Sequence, residues 1–506
     1  MASYVEICDV PLLIAGEQRT NARHLQRLVK QGKLRRIHPG IYTDDLTQPI
    51  EAIVRRELYA LCAAIARGAI ISHRSALENK PTPGGSFFLT GAYRREISLP
   101  GTTLRITKGS GPLDSDIKIP TFAGDAFVSS QARALLENLQ PSRGDPAERR
   151  TLGAAQVEQW LDRFIARNAA SPVKRLRDTA REIAEPLGLS TEFKQLDSTI
   201  GAMLGTRTAR LTAPAARARA AQRPYDSSRV DLFSALAEAL TLEPLQVAPV
   251  DLPADQQLQA FVETYFSNYI EGTEFEIEEA HEIVVKGRPV KYREDDSHDI
   301  LGTYKAILQS KQSPVIPESA DTFVSQLKEW NSQVIESRRD KNPGEFKTEP
   351  NRVGSTWFVD PDMVLGTLLK GYEFIMRAET PANRSALTMF VVAEVHPFTD
   401  GNGRTGRVAM NQFLTHAGLT RVIIPTVYRD DYLSALNAMS SNAHPVPLLR
   451  MFARAARFSR WLDMSSKANC FAALTRSHAT ANPNEARLTF DDGQRSSLDK
   501  TGTSYQ

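Results

Sequence analysis

An apolar helical run from Leu387 to Val395 stops at His396-Pro397, and a second helical run, Arg404 to Thr415, starts a few residues later. Proline disfavours helix in the residue before it, so the first helix ends there. Between the runs lies Phe398-Thr399-Asp400-Gly401-Asn402-Gly403. Its two glycines let backbone N–H groups converge without steric cost. A glycine-rich loop feeding a helix N-terminus is a ready anion site, because unpaired N–H groups and the helix dipole point at it. Arg404 and Arg407 stand three apart and are helical neighbours. Their planar guanidinium forks suit phosphate oxygens. Asp400, at the loop's edge, supplies the one carboxylate that Mg²⁺ usually needs beside phosphates and waters. His396 is the residue type best suited to take a proton near neutral pH. Singly, each element has an ordinary structural reading: a turn, a structural histidine, solvated arginines. Together and in this order they describe a phosphoryl-transfer site.

The stretch HPFTDGNGRTGR resembles the Fic signature HPFx(D/E)GNGRxxR at all nine fixed positions. The resemblance covers roughly residues 255 to 440. It implies an all-helical Fic core, ATP and Mg²⁺ as cofactors, and protein adenylylation as the usual activity. Carried over, His396 would take the proton from the target hydroxyl, and Phe398 would anchor the loop. Asp400 would hold Mg²⁺ between the α- and β-phosphates. Gly401, Asn402 and Gly403 would line the anion hole, and Arg404 and Arg407 would bind the β- and γ-phosphates.

Upstream, Ser267-Asn268-Tyr269-Ile270-Glu271-Gly272 is similar to the Fic inhibitory motif (S/T)xxxE(G/N). The resemblance implies that Glu271 pairs with Arg407 and competes with the γ-phosphate. The alternative is an ordinary acidic helix end, since Glu274, Glu276, Glu278 and Glu279 follow. Arg352 to Pro361, with Val353, Trp357, Phe358 and Val359, reads as a short extended segment where the family has its target-docking flap. A loop packed on the core is the plainer reading.

The remaining chain sets the context. Its 506 residues suggest about three domains. With 41% hydrophobic and 24% charged residues and a net charge of +3, the composition is ordinary, and any nucleic-acid argument must be local. Cys8, Cys62 and Cys470 are scattered, which argues against a disulfide framework or a structural zinc site and fits a reducing compartment. No secretory leader and no membrane-length apolar run is read, so the expected location is cytoplasmic. The expected fold class is multidomain and mainly α: an all-α Fic core preceded by an α+β, winged-helix-containing N-terminal region. The expected parts are 1–50 (winged-helix-like), 51–211 (α+β, then helical), 212–226 (an Ala/Arg/Pro-rich linker or polar helix), 227–470 (Fic with its inhibitory helix) and 471–506 (a disordered tail).

From Arg19 to His38 there are seven basic residues and no acidic ones. Thr20 or Asn21 is a candidate cap for a helix bearing Leu25, Leu28 and Val29, and Pro39-Gly40 marks a hairpin. That order looks like a winged helix, with Arg23, Arg27, Lys30, Lys33, Arg35 and Arg36 as DNA-phosphate contacts. Residues 25 to 42 also resemble the N-terminal winged helix of abortive-infection-type (AbiEi-like) antitoxins, with looser similarity at 71–77, 88–106 and 131–139. The expected partners are therefore a protein bearing a hydroxyl side chain and DNA, with no membrane and with a second copy of the chain as a candidate. The leading expectation is an AMP transferase restrained by Glu271. The alternatives are a DNA-binding regulator using the Fic core as a nucleotide sensor, and a hydrolase that removes AMP.

Overall fold

The computed structural model describes residues 12–15, 22–168, 170–250, 255–354 and 356–491. The candidate caps Thr20 and Asn21 lie outside them. The chain divides into two compact units, 1–222 and 223–506.

In the first unit, β1 (Leu13–Ile14), β2 (Arg35–His38) and β3 (Ile41–Thr43) form an antiparallel sheet in the order β1-β3-β2. The helix Ala22–Lys30 buries Leu25 against Leu34 and Tyr42. Gly32, at φ +70°, turns the chain out of that helix, a conformation that glycine adopts without strain. A six-stranded mixed sheet follows: β4 (Ile70–Ile71), β5 (Ser86–Gly91), β6 (Arg95–Leu99), β7 (Thr102–Lys108), β8 (Ile117–Thr121) and β9 (Gly124–Val128). Its order is β6-β7-β5-β4-β9-β8. β5 pairs parallel with β7, and β4 parallel with β9. β6 and β7 form a hairpin that turns at Pro100-Gly101. β4 is too short to leave a periodic signal, and in β8 the exposed and half-exposed residues do not alternate cleanly.

Helices Ile50–Arg56, Leu58–Ile65 and His73–Glu78 also belong to this unit, and five more follow the sheet: Gln131–Leu139, Ala154–Arg167, Ala170–Ala184, Ser190–Met203 and Pro214–Ala220. The last takes the helix alternative, not the linker, for 214–220 within 212–226. Ala213 and Ala216 enter the helical core beside Leu211. The Glu158 carboxylate accepts the N–H groups of Thr212 and Ala213 at 2.7 and 2.6 Å. The lack of large apolar residues therefore marks a closely packed helix, not a solvated segment.

The second unit is helical except for the hairpin β10 (Arg352–Val353) and β11 (Thr356–Trp357). Its centre is the pair Pro381–Val395 and Asn402–His416. Phe390, Val391, Val395, Phe398, Met410 and Leu414 are fully buried there. The expected disordered tail needs correction over 471–491, while 492–506 lie outside the described residues. The helix Lys467–Arg476 is ordered past residue 471, Leu488 is buried, and Phe490 packs against Phe458 and Trp461 at 5.7 and 5.8 Å between ring centres. Among the described residues no helix is long and apolar enough to cross a membrane.

Candidate active site

The helix Pro381–Val395 starts at a Thr380 cap with proline in its first turn and ends at His396, which takes the left-handed conformation at φ 51°. Such a backbone is uncommon for a residue with a side chain and reports a constrained site. Five residues on, Gly401 (φ +77°) opens the next helix. A Cβ there would stand 2.9 Å from Ile335 Cγ2 and 3.0 Å from Asn331 Nδ2. Asn402 closes the intervening loop on itself. Its Oδ1 accepts the Phe398 N–H at 2.8 Å and its Nδ2 donates to the Phe398 carbonyl at 2.9 Å. Its side chain is therefore committed to the loop, and only its backbone is left for the anion hole. Phe398, fully buried beside Phe346, anchors the loop.

His396 Nδ1 lies 3.4 Å from the Ala393 carbonyl. A carbonyl only accepts, so the proton belongs on Nδ1 and the lone pair on Nε2. Phe358 stacks face to face on the imidazole, with ring centres 3.8 Å apart and planes within 6°. Burial, with the Lys347 ammonium nearby, lowers the imidazole to about 4. Lys347 is itself buried. Its Nζ donates to Asn351 Oδ1 at 2.6 Å, and its backbone N–H donates to Pro397 O at 2.9 Å. Desolvation brings its ammonium down to about 8.

The two arginines are gripped from other helices. Arg404 Nη1 reaches Asp299 Oδ2 at 2.7 Å and Asn268 Oδ1 at 3.3 Å. Asp299, buried, also accepts Arg338. Arg407 donates from Nε to Ser267 Oγ at 2.9 Å and from Nη2 to the Ser267 carbonyl at 2.8 Å and Glu271 Oε1 at 2.6 Å. Burial pushes the Glu271 carboxyl up, but Arg407 and Arg404 outweigh it and hold the group below the ordinary glutamate value. A Cβ on Gly403 would overlap this carboxylate and lie 3.0 Å from Arg407 Nη1. Glu271 thus sits against the glycine loop itself. Arg404 Nε and Arg407 Nη1 are buried without a hydrogen-bond partner among the described residues. Orphaned buried donors of this kind are costly, and an incoming anion would satisfy them.

Asp400 is about one-third exposed. Its Oδ1 accepts the Gly401 N–H at 2.6 Å and lies 3.5 Å from Arg404 Nη2, and among the described residues Oδ2 has only Arg338 Nε, at 4.0 Å. Among the described residues no group of three or more His, Cys, Asp or Glu side chains is placed to hold a metal. A single carboxylate with one open oxygen fits an ion whose other ligands come from phosphates and water.

The sequence pattern of the Fic/DOC family matches residues 321–414. This stretch is a Fic/DOC-family domain. Curated relatives include protein adenylyltransferase fic-1 of Caenorhabditis briggsae, 26% identical over 35% of this chain and 36% of the relative. The protein adenylyltransferase Fic of Drosophila sechellia is 30% identical over 38% of this chain and 40% of the relative. The chain thus spans about two fifths of the length of the curated relatives it matches. Among solved structures, Fic-1 from C. elegans overlays with a TM-score of 0.37 at 19% identity, covering 64% of this chain and 99% of that one. A Fic-domain signalling protein from Bacteroides thetaiotaomicron gives 0.35 at 18% identity, covering 46% and 95%.

The structure brings His396, Asp400, Gly401, Asn402, Gly403, Arg404 and Arg407 into one site and sets Glu271 on it. Asp299, Arg338, Lys347 and Asn351 are members that sequence reasoning missed, and Phe358, read only as part of the extended segment 352–361, stacks on His396. None lies in a motif, and each is recruited by packing from another part of the chain. The basic residues of the first unit are a separate matter. Arg23, Arg27, Lys30, Lys33 and Arg36 are exposed, whereas Arg35 is turned inward, donating to the carbonyls of Asp45 and Gln48. Arg35 is thereby withdrawn from the expected phosphate contacts.

Proposed function

We propose that the chain transfers AMP from ATP to a hydroxyl side chain of a protein, and that Glu271 restrains this reaction. The observation that carries the reading is the Glu271 carboxylate lodged against Gly403 and Arg407. An internal anion occupies the place built for a phosphate. Two buried guanidinium donors beside it remain unpartnered among the described residues. The relatives' common designation as protein adenylyltransferases supports the same reading.

His396 holds its proton on Nδ1 and presents Nε2. The target oxygen attacks the α-phosphorus and its proton passes to Nε2. The bond from that phosphorus to the bridging oxygen of the β-phosphate breaks, and pyrophosphate leaves. Phe358 fixes the plane of the imidazole. The loop N–H groups at Gly401 to Gly403, with Arg404 and Arg407, stabilise the negative charge that develops. A bound Mg²⁺ would be held by Asp400 together with phosphate oxygens and would neutralise charge on the leaving group. The exposed Val353 and Trp357 of the β10–β11 hairpin suit docking of an extended target segment by strand addition. The buried free thiols of Cys62 and Cys470 support a reducing, cytoplasmic setting.

The test is labelling of lysate proteins with ATP carrying label at the α- or the γ-phosphate. Label from the α-position alone, lost in His396→Ala, supports AMP transfer. Label from the γ-position would mean a kinase-like reaction. No label with ATP still bound would favour a nucleotide sensor or removal of AMP.

A second reading concerns the first unit. Its β1-β3-β2 sheet, with the basic helix Ala22–Lys30 between β1 and β2, has the strand order of a winged helix. Exposed Arg23, Arg27, Lys30, Lys33 and Arg36 support binding to DNA phosphates. A gel-shift assay at low salt tests it.

A further inference from the structure

Gln259, Glu263, Ser267 and Glu271 recur at four-residue spacing along the helix Gln256–Ile270 and its C-cap, so they form one stripe. At the far end of the stripe, Ser267 and Glu271 hold Arg407. At the near end, Gln259 and Glu263 line a cavity of about 210 Å³. Gln259 is twelve residues from Glu271, about 18 Å along a helix.

The cavity has an apolar wall of Leu419, Ile423, Leu462 and Met464. Its charges are not balanced. Glu263 and Arg421 neutralise each other, with Nε and Nη2 donating to the two carboxylate oxygens at 2.7 and 2.8 Å. Arg421 places its other donors on Ser310 and Thr415. Lys311, at the end of the helix Glu294–Gln312, donates to Gln259 Oε1 alone. An ammonium has three donors, so two meet no acceptor among the described residues. Arg460, which has a partner of its own, also lines the cavity; the part-buried Lys311 ammonium beside an apolar wall favours an anion with an apolar body.

We propose that this cavity binds a small organic carboxylate, seated on Lys311 and Gln259, and that its binding holds the helix bearing Glu271 in its docked position. A ligand that binds the docked helix better than a displaced one stabilises the docked state by mass action. Linkage then requires that it weaken whatever displaces Glu271. This second step rests on the reading of Glu271 as a competitor of ATP. Burial and the nearby Arg421 lower the Lys311 amine to about 8, with Glu263 and Asp255 acting in the opposite sense.

The experiment uses the full chain and hexanoate, with benzoate as a second carboxylate and hexylamine as the cationic control, followed by calorimetry. Hexanoate and benzoate are expected to bind wild type saturably. Lys311→Met should weaken them about tenfold or more, the scale of one charge-assisted hydrogen bond, and Lys311→Arg should retain them. No binding to folded wild type, equal binding to Lys311→Met, or equal binding of hexylamine overturns the site. ATP affinity is then measured with and without saturating hexanoate. A several-fold weakening in wild type that is absent in Glu271→Gly supports the coupling; an equal effect in both, or in neither, overturns it. ATP binding is read without any transfer, so failure of the AMP-transfer reading would leave these outcomes distinct.

Discussion

Glu271 Oε1 lies 2.6 Å from Arg407 Nη2 across 136 residues of chain. The same carboxylate fills the space that a side chain at Gly403 would need. One glutamate therefore acts on both the guanidinium and the glycine loop, and the first prediction follows from removing it. Glu271→Gly is expected to raise α-phosphate labelling about tenfold or more, since a charge-assisted hydrogen bond contributes about 1.5–3 kcal/mol. Initial rates at fixed ATP check this; unchanged rates in a folded variant would count against autoinhibition.

His396→Ala is expected to lower transfer by about 10²–10⁴, the usual range for removal of a general base. ATP binding should persist, because the phosphate contacts come from the loop and the arginines. Loss of ATP binding in parallel with rate would assign His396 a structural role instead.

The pH profile of the Glu271→Gly variant reports on His396. A free imidazole loses its lone pair below about 6.5, whereas the buried ring titrates at about 4. Activity should therefore stay level as pH falls through 6.5 and drop only near 4. The stability sign agrees. Between 6.5 and 4 the unfolded chain binds a proton that the folded chain refuses, so this residue's contribution is intact above 6.5 and is lost as pH falls toward 4. An acid limb centred near 6.5 would show that the ring is solvated.

Arg229 lies in the first turn of the helix Ser227–Leu242 and pairs with the buried Glu394, while its Nη2 donates to the Trp357 carbonyl at 2.5 Å. It thereby ties the β10–β11 hairpin to the core. Arg229→Ala leaves a carboxylate buried without its cation and is expected to cost about 3–5 kcal/mol. Adding Glu394→Gln should recover part of that loss. Urea denaturation of the two variants measures both.

The basic helix gives a salt-dependent prediction. Reversing charge at Arg27 and Lys30 should weaken DNA binding by residues of the first unit. It should also flatten the salt dependence by about 0.9 for each DNA phosphate that is no longer neutralised. The measurement is the slope of log affinity against log salt. An unchanged slope would remove these residues from any role in holding DNA.

The local chemistry of the site was legible because its parts are close in sequence. A proline after His396 stops one helix, two glycines open the next, and Arg404 and Arg407 fall on neighbouring turns by helical spacing alone. The bounds reflect this: the first helix ends at Val395, as the proline requires, and the second runs from Asn402 to His416. The family resemblance added Glu271. Segments read from composition fared worse. The alanine-rich stretch near 214–220 looks solvated because small side chains carry little hydropathy signal, yet small side chains are what allow a helix to pack closely. The residues after 476 looked disordered, yet Leu488 and Phe490 find apolar partners on the core.

By itself, then, the sequence determined the glycine loop and the placing of His396, Asp400, Arg404 and Arg407 around it, because backbone geometry and helical spacing place them whatever surrounds them. Only the tertiary structure decided which groups meet them: Asp299 on Arg404, Phe358 and Lys347 at His396, Arg229 on the hairpin, and the Lys311 cavity behind the helix that carries Glu271. Those meetings follow from which apolar helix faces pack together. That choice is made by the free energy of the whole core, and no local spacing encodes it.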